Sequence, residues 1–408
     1  MSRLLLLTTN YPYGEGETFI ESEIETLGES FDEVCIIPSR RIWNLRELGD
    51  SRPLPLNVRV LLPGKTTTSS SRFWGFLGLL CVLPIELVAA VAKYDLRLEK
   101  SAGLALVNAV KDVFKVGLIS SWLRIVAKDR SFDVAYAYWK AEVAVSAAHA
   151  KERGWVKAAV ARAHRYDLYP EAWPLGYNPF DRYLKRWLDT VYSISQDGVE
   201  TMRGIGYAES ALDVSRLGVR EAQTLCEPSI DGVIRMLSVS RVVPIKRLDY
   251  IVEALKHTPS GMEIHWTHLG DGYLFDSIEE QIKSLPENVI VSMPGSVPNV
   301  QVLDYYKKQP VDVFINISES EGVPVSIMEA LSHGVPCAAT DVGGVAELIN
   351  ASNGRVLDVN CTPSEIIEAI IGSANKPQLR ESALETWRSL SDRNKNFGEF
   401  AMKLKELC

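Results

Sequence analysis

The chain lacks the marks of several functional classes. Its 408 residues hold six cysteines (Cys35, Cys81, Cys226, Cys337, Cys361, Cys408) and no C-x-x-C pair, so neither a zinc ribbon nor a redox dithiol is written here. Several of these thiols sit in apolar runs, the pattern of reduced, buried cysteines in a cytosolic chain. An excess of positive charge is missing too: 44 Lys+Arg face 52 Asp+Glu, a net charge of −8. That argues against a general nucleic-acid binder. No D-x-D occurs that could bridge a diphosphate through a metal. Two phosphate-loop patterns fail as well. Gly14 and Gly16 begin a G-x-G-x-x-G, but residue 19 is Phe, and Pro63-Gly64-Lys65-Thr66 ends like a P-loop whose first glycine would fall on Arg59. No signal peptide is legible, because the short run Leu4–Leu7 passes at once into Thr8-Thr9-Asn10.

What is present is an ordinary soluble composition, 46% hydrophobic and 24% charged, in a chain longer than one core usually supports. Two domains are the natural expectation. Short β-branched runs alternate with helical spacing throughout, which implies parallel, doubly wound sheets. In the first half, strands are expected at Arg3–Thr8, Val34–Ile37, Val58–Leu62, Val134–Tyr138, Ala158–Ala161 and Val191–Ile194. A second series starts at Val233–Val239 and continues through Ile264–Leu269 and Val289–Ser292. The stretch Leu212–Ser229, with Gly218 and Pro228 and no clean periodicity, reads as the linker. Closing helices are expected over Ile366–Ile371 and Leu379–Leu407. Charge differs between the halves: residues 1–225 carry 28 basic against 27 acidic groups, the remainder 16 against 25. The first half is therefore the better host for an anionic partner or surface. Its run Phe73–Ala92 is long enough to span a bilayer, but Pro84 and Glu86 interrupt it and there is no second span. Core packing and membrane-surface contact, flanked by Lys65, Arg72, Lys93 and Arg97, both remain open.

Chemistry gathers in Asn316–Glu347. Val311–Ile315 reads as a buried strand, Ser318–Gly322 as a polar turn, and Val325–Ser332 as a helix with Pro324 in its first turn. Cys337–Thr340 resumes a strand. Such a unit points free helix N–H groups at the carboxyl edge of a parallel sheet, a place for an anion. Glu321, just before the helix, and Glu329, eight residues on and about two turns along it, are expected on nearly the same face and can accept hydrogen bonds from hydroxyls. Amides for phosphate and acids for hydroxyls suggest a nucleotide sugar. For either glutamate alone, a solvated acid is the plainer reading. Arg241 and Lys246, after the strand Val233–Val239, are cations suited to a diphosphate, or else two exposed charges at a helix start. His164 and Asp167 follow the strand Ala158–Ala161, where open α/β sheets place functional groups. The plainer readings are a structural histidine and a solvated loop acid. His265 and His268 fall on opposite faces of one strand and are poor co-ligands.

The E-x7-E spacing followed by EALSHGVPCAATDVGGVAEL resembles the donor-site signature of the family 4 retaining glycosyltransferases, within the glycosyltransferase group 1 superfamily. SVSRVVPIKRLDYIVEAL resembles that family's Arg-x4-Lys segment, and HLGDGYLFDSIEEQI its Gly-rich donor-domain turn. The resemblance is dense from Val233 to Leu357. It implies an α/β fold of two Rossmann-like domains facing across a cleft, the GT-B arrangement. Residues 1–220 would form the acceptor-binding domain and 230–385 the nucleotide-sugar domain, with a helix in 386–408 crossing back. It implies transfer of a hexose-type sugar from a nucleoside diphosphate, UDP before GDP, to a hydroxyl of a glycan, lipid-linked or other acceptor, with retention and without a metal or other cofactor. Carried over residue by residue, Arg241, Lys246, Glu321 and His164 would be catalytic. Gly270, Val297, Gly322, Val323, Pro324 and Glu329 would complete the donor site, and Gly14, Gly16, His164 and Asp167 the acceptor-side loop. The implied place is the cytoplasm or the inner face of the membrane, in polysaccharide or glycoconjugate biosynthesis. A sugar-nucleotide epimerase of the same architecture and a non-catalytic glycosyltransferase-like subunit are the alternatives.

Overall fold

A computed structural model describes residues 1–14, 16–43, 50–62, 102–129, 131–170, 180–374 and 376–408. It divides into two compact units, Met1–Ser215 with Phe397–Cys408, and Arg216–Asn396. The apolar run Phe73–Ala92 lies outside the described residues. Among the described residues no helix is long and apolar enough to cross a membrane.

The first unit is built on a seven-stranded sheet. Its strands are β1 Arg3–Thr8, β2 Glu33–Pro38, β3 Val58–Val60, β4 Phe132–Ala137, β5 Val156–Ala163, β6 Thr190–Ser193 and β7 Leu212–Val214. They run parallel in the order β3-β2-β1-β4-β5-β6-β7. Parallel strands covered on both faces read as unbroken apolar runs, and Leu4–Leu7 shows why. Leu5 and Leu7 enter one core layer, while Leu4 and Leu6 enter the other. The order reverses between β1 and β4, so the loops leaving their carboxyl ends open a crevice rather than crossing it.

The second unit repeats this plan with six strands: β8 Ile234–Val239, β9 Ile264–Leu269, β10 Val289–Gly295, β11 Val313–Asn316, β12 Cys337–Thr340 and β13 Gly354–Leu357. All pairs are parallel, in the order β10-β9-β8-β11-β12-β13. Its switch point lies between β8 and β11.

Three expected elements are corrected. The linker stretch opens with β7, which pairs with β6; three residues are too few to show a strand period. Pro324 is the residue before the helix Val325–Ser332 rather than part of its first turn, because its backbone is extended (φ −69°, ψ 120°). The continuous helix over Leu379–Leu407 is broken into Pro377–Thr386, a wide turn Trp387–Ser391, and Arg393–Glu406. Asp392 causes the break: its backbone is extended, and its Oδ1 accepts the Asn394 N–H at 2.9 Å, starting a new helix.

The last helix supplies Phe400, Ala401 and Leu404 to the core layer of Leu4 and Leu6. Beneath it lies a buried ion pair. The Arg162 guanidinium bonds the Glu23 carboxylate and, at 2.9 Å, the Ser215 hydroxyl, and sits 4.1 Å from the centre of the Phe400 ring. Truncating one partner of such a pair strands a charge in apolar surroundings. Glu23→Leu should therefore cost about 3–5 kcal/mol, read as a lower urea midpoint of the first unit's transition. An unchanged midpoint would show that the ring and Ser215 alone compensate Arg162.

Candidate functional site

The second unit's site forms where β8 and β11 part. The loop after β8 carries Arg241 and Lys246; the loop after β11 carries Ser318 and Glu321. Gly270 and Gly343 let neighbouring loops press on these two. A Cβ at Gly270 (φ 153°) would lie 1.7 Å from the Ser240 carbonyl oxygen, and one at Gly343 (φ 56°) 2.2 Å from that of Glu321. Only glycine fits either place. The Gly344 N–H then donates to the Gly322 carbonyl at 2.7 Å, bracing the turn from beneath.

Glu321 is 8% exposed, and one of its oxygens is crowded. Oε1 accepts the Lys246 ammonium, the Ser318 hydroxyl at 2.6 Å and the Asn316 amide at 3.3 Å. The Ser318 N–H donates in turn to the Asn316 side-chain oxygen at 3.1 Å, and the Ser318 backbone carbonyl accepts the Thr340 hydroxyl at 2.5 Å. Every hydrogen bond the described residues make to this carboxylate goes to Oε1. Oε2 accepts none of them. Lys246 is thus paired with the acid expected to contact a sugar, while Arg241 is exposed at the loop's start.

Glu321 lies in the turn just before the helix, where it was expected, but the break at Pro324 means that helical spacing does not set how it stands relative to Glu329. The extended Pro324 stops the helix from reaching back to it. Glu329 is buried on Val325–Ser332, where burial raises its pKa and the Asn299 amide, 2.8 Å from Oε1, opposes that rise. Val297 stands two residues before Asn299 in the loop after β10. No side chain caps the Val325 helix, so its first-turn N–H groups and positive dipole end remain beside Gly322 and Val323. Sequence reading missed Asn316, Ser318 and Asn299. The first two lay inside the quoted stretch as ordinary turn residues; Asn299 carries no motif signal.

In the first unit, His164 follows β5 and is buried. Neither ring nitrogen has a hydrogen-bond partner among the described residues, and the ring packs against Trp139 (centroids 4.5 Å) and Tyr138 (4.8 Å). Burial, then the nearby Arg162 charge, hold its pKa well below the usual value, so the ring is neutral at pH 7. Asp167 is not a solvated loop acid. It is buried, accepting the His164 N–H at 2.6 Å and the Lys140 N–H. Of the two early glycines, Gly14 takes a left-handed backbone (φ 69°), while Gly16 does not. The Arg52 guanidinium bonds both carbonyls. Beside them the Glu17 carboxylate gathers the N–H groups of Thr9, Asn10 and Tyr11 and the Trp139 indole N–H, at 2.6–2.9 Å.

Residues 227–388 match the family model described as glycosyl transferases group 1. Those residues are a glycosyl transferases group 1 domain. This group 1 domain contains the Lys246–Glu321 pair, Asn299 and Glu329. Among relatives, Salmonella typhimurium WcaL, a glycosyltransferase provisionally assigned to colanic acid biosynthesis, is 26% identical over 215 residues, 51% of this chain and 53% of WcaL. The O-antigen biosynthesis glycosyltransferase WbnH of Escherichia coli is 26% identical over 179 residues, 44% of this chain and 49% of WbnH. The chain thus spans about half the length of the curated relatives it matches. The crystal structure of Anabaena Alr3699/HepE in complex with UDP aligns over 100% of both chains with a TM-score of 0.68 and 16% identity. That likeness is one of fold: two parallel α/β domains of the GT-B kind.

Burial, working against the two backbone N–H groups and Lys140, pushes the Asp167 carboxyl up to about 7. An acid whose pKa rises on folding holds its proton more tightly when folded, so stability falls as pH climbs from its unfolded value, about 3.9, toward 7. Thermal melts across pH 4–7 should therefore decline less steeply for Asp167→Asn than for the parent. Parallel curves would show that Asp167 titrates normally.

Proposed function

We propose that the chain is a retaining glycosyltransferase that moves a hexose-type sugar from a nucleoside-diphosphate donor, UDP in preference to GDP, to a hydroxyl of a glycan or lipid-linked acceptor in polysaccharide or glycoconjugate biosynthesis. The observation that carries this reading is the Lys246–Glu321 pair set beside an uncapped helix start within the group 1 domain. Lys246 and Arg241 take the departing diphosphate, aided by the N–H groups around Gly322, Val323 and Pro324. The free Oε2 of Glu321 accepts from the sugar hydroxyls, and Glu329 accepts from the ribose. With cations and amides neutralising the diphosphate, the reaction runs without a metal. Gly270 and Val297 shape the donor loops. The neutral His164 ring, with two unsatisfied nitrogens, hydrogen-bonds sugar or acceptor; Asp167 fixes the backbone carrying it, and Gly14 and Gly16 shape the loop on that side. HepE, solved with UDP, supports uridine, and the names of WcaL and WbnH support polysaccharide assembly. The buried free thiols Cys35, Cys226, Cys337 and Cys361 support a cytoplasmic setting, free or at the inner face of the membrane.

Lys246→Ala should slow transfer by about 10²-fold or more, the scale for losing one preorganised charge stabiliser. Because Lys246 and Glu321 act on each other, Glu321→Ala and the double variant should show losses that do not add. Additive losses, or unchanged turnover in Lys246→Ala with donor bound, would sink the assignment; donor isomerised without acceptor would mark an epimerase.

Asn299 orients Glu329 and has no contact with the reacting centre in this reading. Asn299→Ala should raise the donor KM about tenfold, the worth of a hydrogen bond to a charged group, with kcat little changed. A fall in kcat at constant KM would refute that division.

A further inference from the structure

The two cations that end the β8 loop separate. Lys246 turns to Glu321, whereas Arg247 takes a left-handed backbone (φ 51°, ψ 44°) and turns to a different place. Arg247 is 8% exposed. Its guanidinium makes one hydrogen bond among the described residues, to the Val359 carbonyl, and lies 3.8 Å from the centre of the Tyr250 ring. No described carboxylate stands within the 4.0 Å of an ion pair. The ring and the carbonyl thus hold the guanidinium in place, and its remaining N–H groups meet no described carboxylate, which leaves them for an anion.

Beside Arg247 runs a groove of about 720 Å³, large enough for a sugar or two. Val242, Leu248, Leu274 and Ile278 form its apolar wall. The amino end of the helix Leu248–Leu255 opens onto it with no side chain capping the first-turn N–H groups, so amides and dipole add to the guanidinium's preference for an anion. Asp249, Glu319, Gln281 and Asn360 line it as well. Two acids would repel a bare multivalent anion. They have a use where hydroxyls arrive together with the charge, since carboxylates and amides are what bind sugar hydroxyls.

We propose that this groove is a second anion site, binding a saccharide that carries a carboxylate or phosphate group. Arg247 and the helix amides take the charge; Asp249, Glu319, Gln281 and Asn360 take the hydroxyls. None of Lys246, Glu321 and Glu329 lines the groove, so it is distinct from the proposed donor site and does not depend on that assignment. The two sites share their loops, for the Glu319 N–H donates to the Ile245 carbonyl at 2.8 Å.

Isothermal titration calorimetry of the full chain with glucuronate, glucose 6-phosphate, inorganic phosphate and glucose tests this. The two anionic sugars should bind and compete with each other, with glucose and inorganic phosphate each about tenfold weaker or more. Arg247→Gln should lose that affinity. So should Arg247→Gly, which suits the left-handed backbone and should keep the parent melting temperature. Lys246→Ala should bind as the parent does. Full affinity in both Arg247 variants, or no binding of either anionic sugar, overturns the proposal. So does inorganic phosphate outbinding both sugars. Loss in Lys246→Ala together with competition by UDP would assign the binding to the donor site and overturn it equally.

Discussion

A parallel strand that is covered on both faces leaves only its ends for chemistry. Helices occupy the two faces of each sheet here, and Leu4–Leu7 or Val313–Ile315 can hold nothing but apolar side chains. Polar groups are driven to the carboxyl-edge loops, and among these to the point where strand order reverses. In the group 1 domain that point lies between β8 and β11, and the Lys246–Glu321 pair stands there. The pairing follows from topology: the two loops diverge from adjacent strands whose sequence separation is large.

Close approach of backbone holds the arrangement. Gly270 lets one loop rest on Ser240, and Gly343 lets another rest on Glu321. Asn316 and Ser318 then fix a single oxygen of Glu321, and Thr340 holds Ser318 through its backbone carbonyl. A carboxylate with one saturated and one open oxygen is oriented before any ligand arrives, so little ordering is left to be done on binding. Glu329 has the same form, with Asn299 on one oxygen.

Buried charge is treated differently from place to place. Arg162 and Glu23 neutralise each other inside the first unit, beneath the returning C-terminal helix. Glu17 is surrounded by N–H donors in the loop after β1. His164 is held neutral by burial and by Arg162. Arg247 meets no carboxylate among the described residues; the Tyr250 ring and the Val359 carbonyl hold it beside its groove.

Much was legible from residues alone. The strands β1, β9 and β12 and the helix Val325–Ser332 could be read to the residue, because apolar runs bounded by glycine, proline or polar turns leave little choice of period. The glycosyltransferase signature was readable for the same reason, as its spacing is local. Less local features were not. Three-residue β7 is too short to show a period, and the break at Asp392 depends on one side chain turning back on its own backbone. Asn299, the open oxygen of Glu321, the burial of Asp167 and the seat of Arg247 against the Val359 carbonyl each depend on which groups meet across dozens of residues. The sequence by itself determined the two β/α series and the identity of the motif residues, since periodicity and turn chemistry act between near neighbours. Only the tertiary structure decided that Lys246 faces Glu321 while Arg247 faces a separate groove, because consecutive side chains diverge at a left-handed residue and no local pattern records where each one lands.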